Sequence, residues 1–296
     1  MLEAIGVGSI EELYASLTED LLLSDSVPIS HGRTEDEVLR MITAIAQRNS
    51  TGIPFLGCGC YDHLVPSTVQ TLASLPSFVT AYTPYQAEMS QGLLQASYEF
   101  QSMICEITGM DVSNASLYDG ANSAAEAATI MIGSKRKSKA VLVSGTLHPF
   151  TLQVLHTWAL GTGNEIRVLE EKNGVTDLKS LHSALTDEVA GLIVQTPNRY
   201  GLLEDFSTVA EQLHEKGCLF AISSDILSLA IQKSPAEWGA DIAIGDTQAL
   251  GLPLAFGGPS CGYMGVAKAL MRRIPGRIVG ATVDGQGRRG YTLTLQ

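Results

Sequence analysis

Asp241-Ile-Ala-Ile-Gly-Asp-Thr-Gln-Ala-Leu-Gly-Leu-Pro253 decides the fold. Its first half holds a short apolar run, 242–244, of the kind that forms a strand buried on both faces. Its second half is polar, then glycine- and proline-bearing, so the chain turns there. Upstream the same unit recurs. Apolar runs at 140–143, 166–169, 191–194 and 218–222 follow one another at spacings of about 25 residues. Amphipathic stretches at 151–160, 178–185 and 207–215 lie between them. Buried strands alternating with helices imply an α/β fold, a mainly parallel sheet with helices on both faces. Tyr263-Met-Gly-Val266 reads as one further strand, returning after the glycine turn Phe256-Gly-Gly-Pro-Ser-Cys-Gly262.

Before residue 139 the rhythm differs. Ser9-Ile-Glu-Glu12 fits a capping box, and helical apolar spacing continues to residue 23. Thr34 caps a second such run, with Val38, Leu39, Ile42 and Ile45 on one face. Residues 52–61 are glycine-rich and read as a loop, with helices near 66–75 and 90–108. Residues 1–60 therefore read as an N-terminal helical segment and loop, and 61–296 as one large domain. Tyr291-Thr-Leu-Thr-Leu-Gln296 alternates like a strand and then stops, which fits either a short protein or one cut before a further domain.

The 296 residues are 45% hydrophobic, enough for a sizeable core. No apolar run reaches the length of about 18 residues that spans a bilayer. The N-terminus has neither a basic and apolar leader nor an Arg-rich transit pattern, so the expectation is cytoplasmic. A net charge of −12 argues against nucleic acid as a partner. Residues 268–296 run the other way, with Lys268, Arg272, Arg273, Arg277, Arg288 and Arg289 against Asp284 alone. That tail is either a solvated surface or a contact for an acidic partner. Cys58, Cys60, Cys105, Cys218 and Cys261 show no zinc spacing and read as reduced thiols, with a redox role for the Cys58/Cys60 pair as the alternative. No metal is expected.

Several positions carry possible chemistry. Tyr118-Asp-Gly-Ala-Asn122 opens a strong helix, and the amides of Gly120, Ala121 and Asn122 suit a phosphate. An ordinary Asn- or Ser-capped helix is the plainer account. His148 follows the first strand of the series, where it can stack on a flat cofactor or serve as a hydrogen-bonded structural residue. Asp225 follows the 218–222 strand and is placed to pair with a pyridine nitrogen, or to cap a turn. Gln248 follows the 242–244 strand. In a large class of α/β enzymes that position holds the lysine that forms a Schiff base with pyridoxal phosphate (PLP). An amide has no free amine and cannot form that imine. Tyr82-Thr-Pro-Tyr-Gln86 places Tyr82, Tyr85 and Gln86 in a segment stiffened by Pro84, a good contact surface for a partner or a core-capping loop.

Together these stretches resemble one family. Tyr61-Asp-His63, Tyr82-Thr-Pro-Tyr-Gln-Ala-Glu-Met-Ser-Gln-Gly92, Leu117-Tyr-Asp-Gly-Ala-Asn122, Gln195-Thr-Pro-Asn198, Gly239-Ala-Asp-Ile242, Gly251-Leu-Pro-Leu-Ala-Phe-Gly-Gly-Pro259, Pro275-Gly-Arg-Ile-Val-Gly280 and Arg289-Gly-Tyr-Thr-Leu-Thr-Leu-Gln296 carry the likeness. The chain resembles the glycine cleavage system P-protein family, in the subunit 1 branch of its two-subunit glycine dehydrogenase (decarboxylating). The resemblance implies a fold-type I PLP-dependent transferase-like large domain whose C-terminal small domain is missing here. It implies an α2β2 heterotetramer in which subunit 2 holds PLP covalently and this chain completes the active site, with Tyr82, Tyr85 and Gln86 at the interface. It implies decarboxylation of glycine and passage of the aminomethyl group to the lipoyl arm of H-protein, and no catalysis by this chain alone. The pocket around Gly120, Ala121, Asn122, His148 and Asp225 is then vestigial. Cys58 and Cys60 depart from the small residues expected in that loop. Two other readings stay open: a stand-alone PLP-dependent lyase or aminotransferase using an unexpected lysine, such as Lys233 or Lys268, and a non-catalytic assembly protein.

Overall fold

The computed structural model describes residues 1–22, 27, 29–50, 52–53, 55, 59, 61–79 and 82–294. The chain divides into two compact units, Met1–Phe55 and Leu56–Gln296.

In the first unit, helix α1 (Glu35–Ala46) starts at a reciprocal capping box. Glu37 N donates to Thr34 Oγ1 at 3.3 Å, and Thr34 N donates to the Glu37 carboxylate at 2.8 Å. Three acids in its first turn meet the positive end of the helix dipole. The Ser9 run does not form the continuous helix its spacing suggests. Two 3-10 turns, Glu11–Tyr14 and Glu19–Leu21, stand there instead. The reason is local. Glu12 N does reach Ser9 Oγ at 3.3 Å, but the returning carboxylate accepts from Gly8 N at 2.9 Å, one residue out of register for the box. With no residue of the Glu11–Tyr14 turn buried, packing does not rescue a short helix.

The second unit is a layered α/β structure. Its elements run α2 (Gln91–Thr108), β1 (Val112–Ser113), α3 (Gly120–Ser134), β2 (Ala140–Ser144), α4 (Pro149–Thr162), β3 (Glu165–Leu169), β4 (Val189–Thr196), α5 (Val209–Glu215), β5 (Leu219–Ser224), β6 (Ile242–Asp246) and β7 (Gly262–Val266). The sheet order is β1-β7-β6-β5-β4-β2-β3. Strands β3, β2, β4, β5 and β6 are parallel, and β7 is antiparallel to both of its neighbours. The expected return strand is therefore present. The 178–185 stretch is shorter than its pattern suggests, a 3-10 turn (Leu178–Ser180) followed by a single helical turn (Leu181–Ala184).

Burial on both faces explains the unbroken apolar runs. Along β2, Val141 and Val143 join one core cluster and Leu142 the other, the period of two of a strand. One face packs on Ile104 of α2 and on Val209 and Leu213 of α5. The other packs on Ala124, Ala127, Ala128 and Met131 of α3 and Leu155 of α4. Small residues let α3 approach closely. A Cβ on Gly191 of β4 would collide with the backbone oxygen of Leu219 and lie 2.7 Å from Met131 Sδ, so only glycine fits there.

A hairpin, β8 (Ile278–Val283) with β9 (Arg289–Thr294), packs on α2 through Leu94, Val279 and Tyr291. Two glutamines of α2 seal it. Gln91 bonds both Tyr291 N and Tyr291 O, and Gln101 does the same for Val279. The expected terminal strand is thus β9, although Leu295 and Gln296 lie outside the described residues. Among the described residues no helix is long and apolar enough to cross a membrane.

Candidate functional site

A parallel sheet offers its ligand site at the C-terminal ends of its strands. Four strands end there on polar residues: Ser144 of β2, Thr196 of β4, Ser224 of β5 and Asp246 of β6. Around this edge lie Gln248, Asp225, His148 and the N-terminus of α3.

Gln248 is the second residue after β6 and opens a 3-10 turn, Gln248–Leu250. Its backbone N–H donates to Asp246 Oδ1 at 2.6 Å, and its side-chain Nε2 donates to Leu252 O at 2.7 Å. The amide is bound back to its own loop. Asp225 directly follows β5 and is exposed. Its Oδ1 accepts from Leu227 N at 2.8 Å and Ser228 N at 3.1 Å, which ties the carboxylate to the start of the turn Leu227–Ala230. Its Oδ2 has no hydrogen bond among the described residues.

His148 stands four residues beyond β2 and caps α4. Its Nδ1 accepts from Phe150 N at 3.2 Å, its own N–H donates to Gln195 Oε1 at 2.8 Å, and the Phe150 ring lies edge-on at 5.3 Å. A Cβ on Gly59 would come within 3.0 Å of His148 Nε2, so the ring packs beneath that backbone.

At α3 the cap is Asp119, rather than the Asn or Ser expected from the sequence. Asn122 N donates to Asp119 Oδ1 at 2.7 Å. Gly120 N donates to Asp246 Oδ2 at 3.3 Å, and Ser260 Oγ donates to the same oxygen at 2.5 Å. Beneath them Tyr263 is fully buried, its hydroxyl donating to Ser224 O at 3.1 Å. Burial pushes its pKa far up, and the charges of Asp225 and Asp246 add to the shift, so it stays a neutral donor.

Tyr82 and Tyr85 are largely exposed, at 87% and 62%. Tyr82 lines a shallow cavity of about 250 Å³ with Ser77, Met89, Ser90, Gly92 and Leu93. Gln86 precedes the 3-10 turn Ala87–Met89 and makes no side-chain cap. The basic tail is not a free cluster. Arg273 donates to Gly133 O, Arg277 to Tyr85 Oη, Arg288 to Asp284, and Arg289 lies over Tyr98 and Tyr291. Lys268 opens a 3-10 turn at the far end of β7, and Lys233 stacks on Trp238 at 4.5 Å. Neither is among the bonds at the Gln248 loop. Cys105, Cys218 and Cys261 are free thiols, while Cys58 and Cys60 lie outside the described residues. Among the described residues no cluster fits a metal ion.

The sequence and the fold match known proteins. The family model for the glycine cleavage system P-protein matches residues 1–296. The chain belongs to the glycine cleavage system P-protein family. It is 47% identical over 299 residues to a Bacillus cytotoxicus protein named "Probable glycine dehydrogenase (decarboxylating) subunit 1", covering 100% of this chain and 67% of that one. A crystal structure of glycine decarboxylase (P-protein) in inhibitor-bound form matches with a TM-score of 0.89 at 42% identity, over 100% of this chain and 67% of that chain. A cysteine desulfurase from Thermococcus onnurineus shares the fold at a TM-score of 0.55 and 15% identity, over 90% of this chain and 65% of that one. The large unit of this P-protein family member is thus a fold-type I PLP-dependent transferase-like domain, and the chain spans about two thirds of the relatives it matches.

The residues present do not fit PLP. Gln248, which the sequence sets where the lysine is expected, has no amine, and its amide is engaged with Leu252 O. Where a phosphate would meet the helix stand two carboxylates. A unit negative charge about 4 Å from such a carboxylate meets roughly 4 kcal/mol of repulsion from it at an effective dielectric near 20. Asp119, Asp246 and Ser260 were not singled out by sequence, although all three lie inside quoted stretches. Capping preference alone flags Asp119.

Proposed function

We propose that this chain is the lysine-lacking subunit of a PLP-dependent glycine decarboxylase, working in a heterotetramer with glycine dehydrogenase subunit 2. The observation that carries this is Gln248. It follows the strand β6 of the family's sheet, yet its side chain is an amide tied to Leu252 O. In the assembled enzyme PLP supplies the electron sink for loss of carbon dioxide and is held covalently by the partner subunit. This chain contributes surface and shape. Tyr82 and Tyr85 offer exposed aromatic area of the kind that anchors interfaces, beside a cavity able to receive a partner side chain. Gln86, which makes no side-chain cap to the turn after it, adds an amide at the same place.

Lipoylated H-protein is the proposed acceptor of the aminomethyl group. Of the basic side chains in 268–296, the Lys268 ammonium and the Arg272 guanidinium have no bond among the described residues and are the ones left for an acidic partner. The proposed location is the cytoplasm. Residues 1–60 and 61–296 are proposed as the segment-and-loop and large-domain parts. A stand-alone enzyme is disfavoured, because Lys233 and Lys268 both sit away from the Gln248 loop.

The test is co-expression with a candidate subunit 2, co-purification, and a glycine–bicarbonate exchange assay with H-protein added. Exchange by the pair, with none by either chain alone, is the expected result. Exchange by this chain alone would defeat the proposal.

A further inference from the structure

We propose that Asp119 and Asp246 act as a built-in substitute for a bound phosphate, filling the cradle at the N-terminus of α3 and closing this chain to phosphate monoesters. The inference concerns this chain by itself and does not depend on the partner assignment. Three segments converge at the cradle: the first turn of α3, the end of β6, and the loop before β7. In a phosphate site the convergent groups are backbone N–H donors and hydroxyls. Here such donors are present and already taken. Gly120 N and Ser260 Oγ both donate to Asp246 Oδ2, Gln248 N donates to Asp246 Oδ1, and Asn122 N donates to Asp119 Oδ1. Of the amides of Gly120, Ala121 and Asn122, only that of Ala121 has no hydrogen bond among the described residues. The two carboxylates thus receive the bonds, and the helix-dipole attraction, that an external anion would receive.

The packing leaves little room for rearrangement. A Cβ on Gly120 would lie 3.2 Å from Gly245 C, and one on Gly262 would lie 2.3 Å from Asp119 O. The elements are in backbone contact, held by acids of the chain. A junction that in a cofactor-binding relative would gain stability from its ligand is here closed without one.

Backbone amide exchange on the full-length chain tests this, with inorganic phosphate or PLP added and chloride at matched ionic strength as control. For the unaltered chain the expected result is no slowing at 120–122 with either anion. The double variant Asp119→Asn/Asp246→Asn keeps oxygen acceptors for the cap and loop while removing both charges. Its exchange at 120–122 should slow about tenfold when phosphate is ten times its Kd, and its melting temperature should rise with phosphate but not with chloride. Asp246→Asn alone carries the same readouts if the double variant does not fold. Slowing in the unaltered chain would overturn the proposal. So would variants that fold but show no response to millimolar phosphate.

Discussion

Arg277 Nη2 donates to the Tyr85 hydroxyl at 2.7 Å, and its guanidinium carbon lies 5.3 Å from the centre of the same ring. The pair joins the segment before α2 to the turn before β8. It fixes the orientation of an aromatic residue that is otherwise exposed. Arg277→Ala removes both a charge-assisted hydrogen bond and a cation–π contact, with an expected loss of about 1–2 kcal/mol in chain stability. Tyr85→Phe removes only the hydrogen bond, so its loss should be smaller. If Tyr85 is an interface anchor, Arg277→Ala also weakens association with subunit 2 by more than it lowers stability. Urea denaturation of the chain and sedimentation titration of the pair separate the two effects. Equal association for Arg277→Ala and the unaltered chain would exclude an anchoring role for the Tyr85 orientation.

Gln101 is buried on α2 and bonds both polar atoms of Val279, accepting from N at 2.8 Å and donating to O at 3.0 Å. Gln101→Leu keeps the volume and strands both backbone groups. We expect a loss of roughly 2–4 kcal/mol, read as a lower urea midpoint at unchanged m-value. Gln91→Leu should cost less, because the Gln91–Tyr291 bonds are only partly buried and water can replace them.

The sheet was legible in the sequence because burial on both faces leaves unbroken apolar runs, as at 140–143 and 242–244. Gln248 was legible because its place after β6 is set by the strand itself. The cradle was not. Asp246 sits in the stretch that decides the fold, but its meaning comes from Gly120, 126 residues away, and Ser260, 14 residues away. Sequence spacing encodes periodicity along an element, and contacts between loops leave no such trace. The N-terminal segment failed for a different reason. Its Ser9-x-x-Glu12 pattern is present, yet a bond shifted by one residue to Gly8 replaces the helix start.

Glu204 had no sequence signal at all, and it is 8% exposed with no ion pair among the described residues. Its Oε1 accepts from Thr146 Oγ1 at 2.8 Å and Asn198 Nδ2 at 2.8 Å, and its Oε2 accepts from Thr176 N at 2.8 Å. Three loops at the edge near His148 are joined through this one carboxylate. Glu204→Leu leaves Thr176 N without an acceptor, at about 1–3 kcal/mol, and removes a charged acceptor from Thr146 Oγ1, which keeps Ser144 Oγ, and from Asn198 Nδ2, which keeps Gly174 O. The expected outcome is a fall in stability similar to that of Gln101→Leu, by urea denaturation. Glu204→Gln should lose less, since one amide oxygen still accepts.

Stability of α1 should depend on pH through Glu37. Its carboxyl is held below the usual carboxylate range, first by the Thr34 backbone N–H and then by the Thr34 hydroxyl. A folded pKa below the unfolded one gives a contribution that is complete above the unfolded value and lost as pH falls through the folded value. Helicity at 35–46 should therefore hold from neutral pH down to the carboxylate range and fall below it. Glu37→Gln keeps a capping acceptor and should flatten that part of the profile. Amide chemical shifts of α1 across the titration measure both; an unaltered profile in the variant would mean other acids set the dependence.

Gln248→Lys restores an amine at the end of β6 without restoring a site around it. The new side chain would meet Leu252 O, the present partner of the glutamine amide, with Asp246 still engaged by Gly120, Gln248 N and Ser260. A lysine there finds carboxylates and a carbonyl, which favour its charged ammonium form and oppose its use as a nucleophile. We therefore expect no release of carbon dioxide from glycine by this variant with added PLP and no subunit 2. Adding Asp119→Asn and Asp246→Asn removes the two opposing charges, so PLP retention after gel filtration should appear in the triple variant before it appears in Gln248→Lys alone. Turnover by the single variant would show that the anchor was the only missing part, and that the surrounding residues never opposed the cofactor.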